Sequence, residues 1–227
     1  MATGQNLIDE VRRIIHDESA TFRWADAELI DYLNAGQRAI VVLVPEANLV
    51  ETVVDLTTSR IARQSIPSGG IKFIKATQNY ANDGTTPQGT IRYAEKDALD
   101  TYEPTWEYVS TKADDANYFE HFCHDKREPK IYYVYPAPPT DGKRLGILYS
   151  ANPTELTAVG STIALSDEYT ESLIAYVTYR ALTKESRESM PDTFGQELYN
   201  QFLAVLGIKR AVESSVSASE VAAPEGD

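Results

Sequence analysis

The chain has 227 residues, a formal net charge of −13, 42% hydrophobic and 24% charged residues, and one cysteine. That length allows a sizeable core in one domain, or in one domain carrying a large insert. The acidic balance, with no Lys/Arg run to override it, excludes a general nucleic-acid reader, because such a chain repels phosphates.

The lone Cys123 excludes an intrachain disulfide and points to assembly in a reducing cytoplasm. Met1–Asn6 has neither a basic nor an apolar signal region, which predicts a chain without a secretory signal. The longest apolar run, Ala39–Val44, falls far short of the roughly 20 residues of a membrane span, so a soluble protein with no membrane partner is expected.

Leu7, Val11, Ile14 and Ile15 recur at helical spacing and predict a first helix from about residue 5 to Asp17. A second is predicted from near Ala25. Trp24 and Leu29 stand where a hydrophobic staple belongs, and Asp26 and Glu28 put negative charge at the helix's positive end. Ala25 takes the N-cap place with no oxygen to offer. Leu29, Ile30, Leu33, Ile40, Val41 and Val44 line one side until Pro45 stops the helix. Gly36, in the helix interior, costs about 1 kcal/mol against alanine, which predicts close packing or a kink.

From Glu46 the period becomes two. Val50, Thr52, Val54 and Leu56 alternate with Glu51, Val53 and Asp55, which predicts a strand with one face more buried. Ile61–Ile66 is expected to pair with it, before Pro67-Ser68-Gly69-Gly70 turns the chain. Ile71–Thr77 is a further strand, Asn79–Gly89 an exposed loop, Ile91–Tyr93 a strand and Glu95–Tyr102 a short helix. Tyr118–Cys123 and Lys130–Tyr135 read as a hairpin across His124–Pro129, ended by Pro136-Ala137 and Pro138-Pro139. Leu145, Ile147 and Tyr149 form one face of a last strand.

Helical spacing returns after Ser166, a suitable N-cap followed by Asp167, Glu168 and Glu171. Leu173, Ile174, Val177 and Ala181 make its apolar side. Met190-Pro191-Asp192 breaks the run, with Pro191 placed to open a final helix lined by Phe194, Leu198, Tyr199, Phe202, Val205 and Leu206. Beyond Glu213 the residues are small, apolar or acidic, and a tail that orders only on a partner is expected.

His121, Cys123, His124 and Asp125 form the one cluster resembling chemistry. On a strand, His121 and Cys123 share a face while His124 points away, so at most two ligands converge where zinc needs three or four. Pro67-Ser68-Gly69-Gly70 lacks the spacing and the lysine of a phosphate loop. No catalytic, cofactor or metal site is expected. The nine tyrosines between residues 80 and 149 suit half-buried strands, and some suit a subunit contact.

Phe22-Arg23-Trp24-Ala25-Asp26-Ala27-Glu28-Leu29-Ile30-Asp31-Tyr32-Leu33-Asn34-Ala35-Gly36-Gln37-Arg38 resembles the opening of bacteriophage head-to-tail adaptor (connector) proteins. The resemblance continues through Ser65-Ile66-Pro67, Asn79, Glu128-Pro129, Pro136-Ala137-Pro138, Leu165-Ser166-Asp167-Glu168-Tyr169 and Tyr176-Val177-Thr178-Tyr179-Arg180-Ala181, in order, up to about Gly207. It departs at Ala25, where a capping serine is expected, and at Glu128, where aspartate is.

The resemblance implies an α+β fold in which the N- and C-terminal helices form a helical bundle carrying a β-rich antiparallel insertion. The parts would be 1–45 and 153–212 for the helices, 46–152 for the insertion and 213–227 for an acidic flexible tail. It further implies a structural protein of the virion, assembled in the host cytoplasm, with portal protein and a tail nozzle or tube protein as partners. About twelve copies would ring the channel through which genomic DNA passes without sequence-specific binding. Ala211, Val212, Val216 and Val221 are the expected portal contacts, and Tyr80, Tyr132 and Tyr135 the expected subunit or tail contacts. Two other classes stay open: a carbohydrate- or protein-binding β module of a tail, using the Asn79–Gly89 loop and nearby tyrosines, and a hydrolase built on carboxylates or Cys123.

Overall fold

The computed structural model describes residues 2–19, 21–56, 61–107, 119–138, 143–189 and 197–207. They form two units. One contains Met1–Ala47 with Pro153–Asp227, the other Asn48–Asn152.

In the first unit, α1 (Gly4–Ile14) starts where the Thr3 hydroxyl accepts the Asn6 N–H at 3.4 Å, satisfying one of the free donors of the first turn. Leu7, Ile8 and Val11 are buried. The connection to the next helix is held by Arg12, whose buried guanidinium donates to Asp17 at 2.6 Å, to the Trp24 carbonyl at 2.8 Å and to Asp26 at 2.6 Å. α2 (Asp26–Leu43) has no side-chain cap at Ala25, and both staple residues, Trp24 and Leu29, are buried. Pro45 opens a 3-10 turn, Pro45–Asn48.

Helix α4 (Thr170–Ser189) packs on both α1 and α2. Gly36 is the reason α2 comes close. A Cβ there would lie 3.0 Å from Tyr176 Cδ1 and 3.2 Å from Leu173 Cδ2, so the expectation of close packing holds. Ser166 precedes a 3-10 turn, Asp167–Tyr169, and its side chain makes no capping bond. Asp167 instead accepts the Ala2 N–H at 2.7 Å, which holds its carboxyl below the usual carboxylate range. A further helix, α5, covers 197–207, with Phe202 and Leu206 buried. Met190, Pro191 and Phe194 lie outside the described residues.

Among the described residues, the second unit holds two four-stranded sheets. β1 (Leu49–Asp55), β3 (Gly70–Tyr80), β4 (Pro87–Thr90) and β8 (Arg144–Ala151) form one, in the order β1-β8-β3-β4. β2 (Arg63–Ser65), β5 (Arg92–Tyr93), β6 (His121–Cys123) and β7 (Ile131–Tyr135) form the other, in the order β2-β7-β6-β5. The predicted β6–β7 hairpin is present.

Three expectations are corrected. The segment Ile61–Ile66 does not pair with β1: its strand β2 pairs with β7, and β1 pairs with β8. The reason is burial, since Val50 and Val54 pack against a core that contains Leu145 and Ile147 of β8. Asn79–Gly89 is not all loop, because β3 runs on to Tyr80 and β4 begins at Pro87, leaving a turn in which Asp83 accepts N–H bonds from Thr85 and Thr86. The Thr86 hydroxyl also donates to Asp83, and its bond, then those from the two N–H groups, hold the Asp83 carboxyl well below its usual range. Nor is the insertion wholly antiparallel: β5 and β6 run parallel, which the long return through α3 (Lys96–Tyr102) makes possible.

One core draws on both sheets, with Phe73 stacked on Tyr132 at a 4.6 Å centroid distance. A second cluster, on the other face of β7, holds Trp106, Cys123, Tyr133 and Tyr135, with Leu99 of α3 against it. β7 is therefore covered on both sides, and alternate tyrosines enter different cores.

Candidate assembly surface

The histidine–cysteine cluster is pulled apart by the strand. Cys123 faces the second core at 1% exposure, and burial pushes its thiol up to about 12. His121 stacks on Tyr135 at 6.3 Å, while His124 lies against the rings of Phe73 and Tyr93 at 5.6 and 5.9 Å. Burial, then the charges of Lys72 and Lys126, lower the His124 pKa. Among the described residues, no group of three or more His, Cys, Asp or Glu side chains could hold a metal ion. Nor is any helix among them long and apolar enough to cross a membrane.

Polar groups on α3 and just after it brace the second core. Lys96 pairs with Glu107, Trp106 Nε1 donates to Asp100 at 2.8 Å, and the Tyr135 hydroxyl donates to Glu103. In the helical unit, Lys184 donates to Glu28 and sits 5.0 Å from the Trp24 ring, and Arg180 sits 5.2 Å from the Tyr32 ring. These contacts tie α2 to α4. The Lys184 bond, then the Tyr32 hydroxyl, lower the Glu28 pKa, while burial and the Glu28 bond push Tyr32 up to about 12.

The structure places the three expected contact tyrosines in different settings. Tyr132 is 1% exposed and Tyr135 5%, so both belong to cores, a correction that follows from the two-sided cover of β7. Tyr80, at the end of β3, is half-buried. Among the described residues of this unit the exposed aromatic ones are Tyr93 and Tyr102, the latter 88% exposed. Tyr102 had a signal in the sequence: it ends a short helix just before Pro104, and α3 buries none of its residues. The expected portal contacts Ala211, Val212, Val216 and Val221 lie outside the described residues.

Among the described residues each sheet of this unit has two edge strands, β1 and β4 in one and β2 and β5 in the other. β1 has β8 as its one strand neighbour among the described residues, and β4 has β3. Beside β4 lies an open cleft of about 410 Å³ lined by Gln88, Gly89, Thr90, Arg92, Glu120 and His121.

The family model for SU10 adaptor protein matches residues 2–223. No curated protein matches the sequence. Among solved structures, a chain from the neck of an empty GTA particle, computed with C6 symmetry, is 18% identical. The match covers 85% of this chain and 83% of that one, with a TM-score of 0.27, a superposition too poor to bear on fold or role.

Proposed function

Since the chain belongs to the SU10 adaptor protein family, we propose that it is a structural part of a phage particle, joining the portal vertex of the head to the tail. The observation that carries this reading is the family match across residues 2–223. In it, the helices of the first unit form the bundle, and about twelve copies ring the DNA exit channel. The net charge of −13 suits a channel wall that DNA must pass without adhering.

The segment carrying Ala211, Val212, Val216 and Val221 would face the portal. Tyr80, together with the exposed Tyr93 and Tyr102, would meet neighbouring copies or the tail protein, since tyrosine is favoured where interfaces exclude water. A thiol hydrolase is disfavoured by a positive observation: Cys123 is enclosed by aromatic rings and its thiol is held protonated.

The test is genetic. Particles assembled without this chain should be DNA-packaged heads that carry no tail. Tailed, infectious particles from the same deletion would overturn the proposal.

A further inference from the structure

His124 is the first residue after β6, and its ring stands between the two sheets of the strand-rich unit. On one side it lies 5.6 Å from Phe73 of β3, on the other 5.9 Å from Tyr93 of β5. β5 is a two-residue edge strand. It is tied to the β6 chain by the Arg92 N–H, which donates to the Glu120 carbonyl at 3.0 Å, and by the Ala94 N–H, which donates to the Phe122 carbonyl at 2.9 Å. The Tyr93 side chain is 55% exposed and rests on the rings of Phe122, at 5.7 Å, and His124. From Tyr93 the chain runs directly into α3, none of whose residues is buried.

The place His124 occupies suits a neutral ring. Its Nδ1 is buried and has no hydrogen-bond partner among the described residues. In a neutral imidazole one nitrogen is a lone-pair acceptor, whereas both nitrogens of an imidazolium are donors. A buried N–H that faces no acceptor bears its full desolvation cost.

The surrounding charges agree. Lys72 of β3 and Lys126 of the following turn repel a proton on His124, and Asp125 works against them. Asp125 also accepts the Arg127 N–H at 2.8 Å. Glu95, Lys96, Asp97 and Arg127 line the same cleft of about 390 Å³, two carboxylates against two cations, and Lys96 is paired with Glu107. Aromatic faces attract cations, but burial and the two lysines outweigh that attraction and lower the His124 pKa.

We propose that His124 is a pH-sensitive latch: neutral, it fastens the β5 edge and the start of α3 to β3, and charged, it swings out to water and frees Tyr93. Mild acid would then change the surface that Tyr93 offers to a partner. The latch belongs to the chain itself and does not rest on the ring reading. In the unfolded chain the imidazole titrates near 6.5. The latch therefore holds fully above that pH and weakens as pH falls through it toward the lower folded value.

The test compares the full chain with His124→Phe, which keeps a ring between Phe73 and Tyr93 and removes the proton. His16 and His121 stay in both proteins, so their titration cancels. Between about pH 7.5 and about pH 5.5, hydrogen exchange across 91–102, corrected for its intrinsic pH dependence, should rise about threefold or more in the parent and not in the variant. The His124 ring resonance, identified by its loss in the variant, should titrate below the value of a free imidazole. Lys72→Gln removes one repelling charge and should move that titration up. An equal acid response in parent and His124→Phe, a resonance titrating at or above the free value, or one indifferent to Lys72→Gln would overturn the latch.

Discussion

Asn34 holds Leu156 by both backbone groups: the Leu156 N–H donates to Asn34 Oδ1 at 2.8 Å, and Asn34 Nδ2 donates to the Leu156 carbonyl at 3.0 Å. The partners are 122 positions apart. In the strand-rich unit Asn79 does the same to Phe119, with both bonds at 2.9 Å. A primary amide presents one acceptor and one donor group, so a single side chain can stand in for a strand neighbour. In the first unit the device pins a returning stretch that holds no strand among the described residues, and in the second it fixes the chain just ahead of β6.

Replacing either asparagine by alanine should therefore cost more than an ordinary polar substitution. Each change leaves a buried N–H and a buried carbonyl without partners, a loss of about 2–4 kcal/mol. Urea unfolding of Asn34→Ala and Asn79→Ala measures it. Asn34→Asp keeps the acceptor but sets a carboxylate against the Leu156 carbonyl, so this variant should be more stable in mild acid than at neutral pH.

Gly36 should tolerate little. Alanine gains about 1 kcal/mol of helix propensity, but its Cβ enters a space 3.0 Å from Tyr176 and 3.2 Å from Leu173. The two effects nearly cancel, and Gly36→Ala should shift stability by less than about 1 kcal/mol. Gly36→Val adds two methyl groups and loses the propensity gain, so it should destabilise by about 2–3 kcal/mol. Thermal unfolding of the pair separates crowding from backbone entropy.

The tyrosines divide into two groups that a stability measurement can tell apart. Tyr132→Ala removes a ring stacked on Phe73 and should cost about 3–5 kcal/mol. Tyr102→Ala removes a side chain that is 88% exposed and should leave stability within about 0.5 kcal/mol. If Tyr102 meets a neighbour or the tail, this variant should fold normally and still weaken assembly.

Cys123 should be inert in the folded protein. Its thiol is buried and pushed up to about 12, so a thiol reagent at pH 8 should label it only after denaturation. Cys123→Ala should assemble as the parent does. Rapid labelling of the native chain would reopen the thiol hydrolase.

The helices were legible because their signals are local. Leu29, Leu33, Ile40 and Val41 repeat along one face, and Pro45 and Gly36 act where they stand in the sequence. Strand boundaries were partly legible for the same reason, as with Leu145, Ile147 and Tyr149. Strand partners were not, since β1 finds β8 nearly a hundred residues away through a shared core that no short window reveals. Asn79 shows the sharpest failure: a polar residue beside Asn82 and Gly84 reads as loop, and its burial depends on Phe119 arriving from elsewhere. Tyr132 and Tyr135 failed in a related way, because two-sided cover of β7 depends on Trp106 and Leu99.

Native mass spectrometry of the chain mixed with the portal protein of the same genome tests whether this chain is a ring-forming adaptor on the portal. One discrete complex is expected, with about as many copies of this chain as of portal in a closed ring. Free portal and free chain across a range of salt, with residues 211–227 intact, would contradict it.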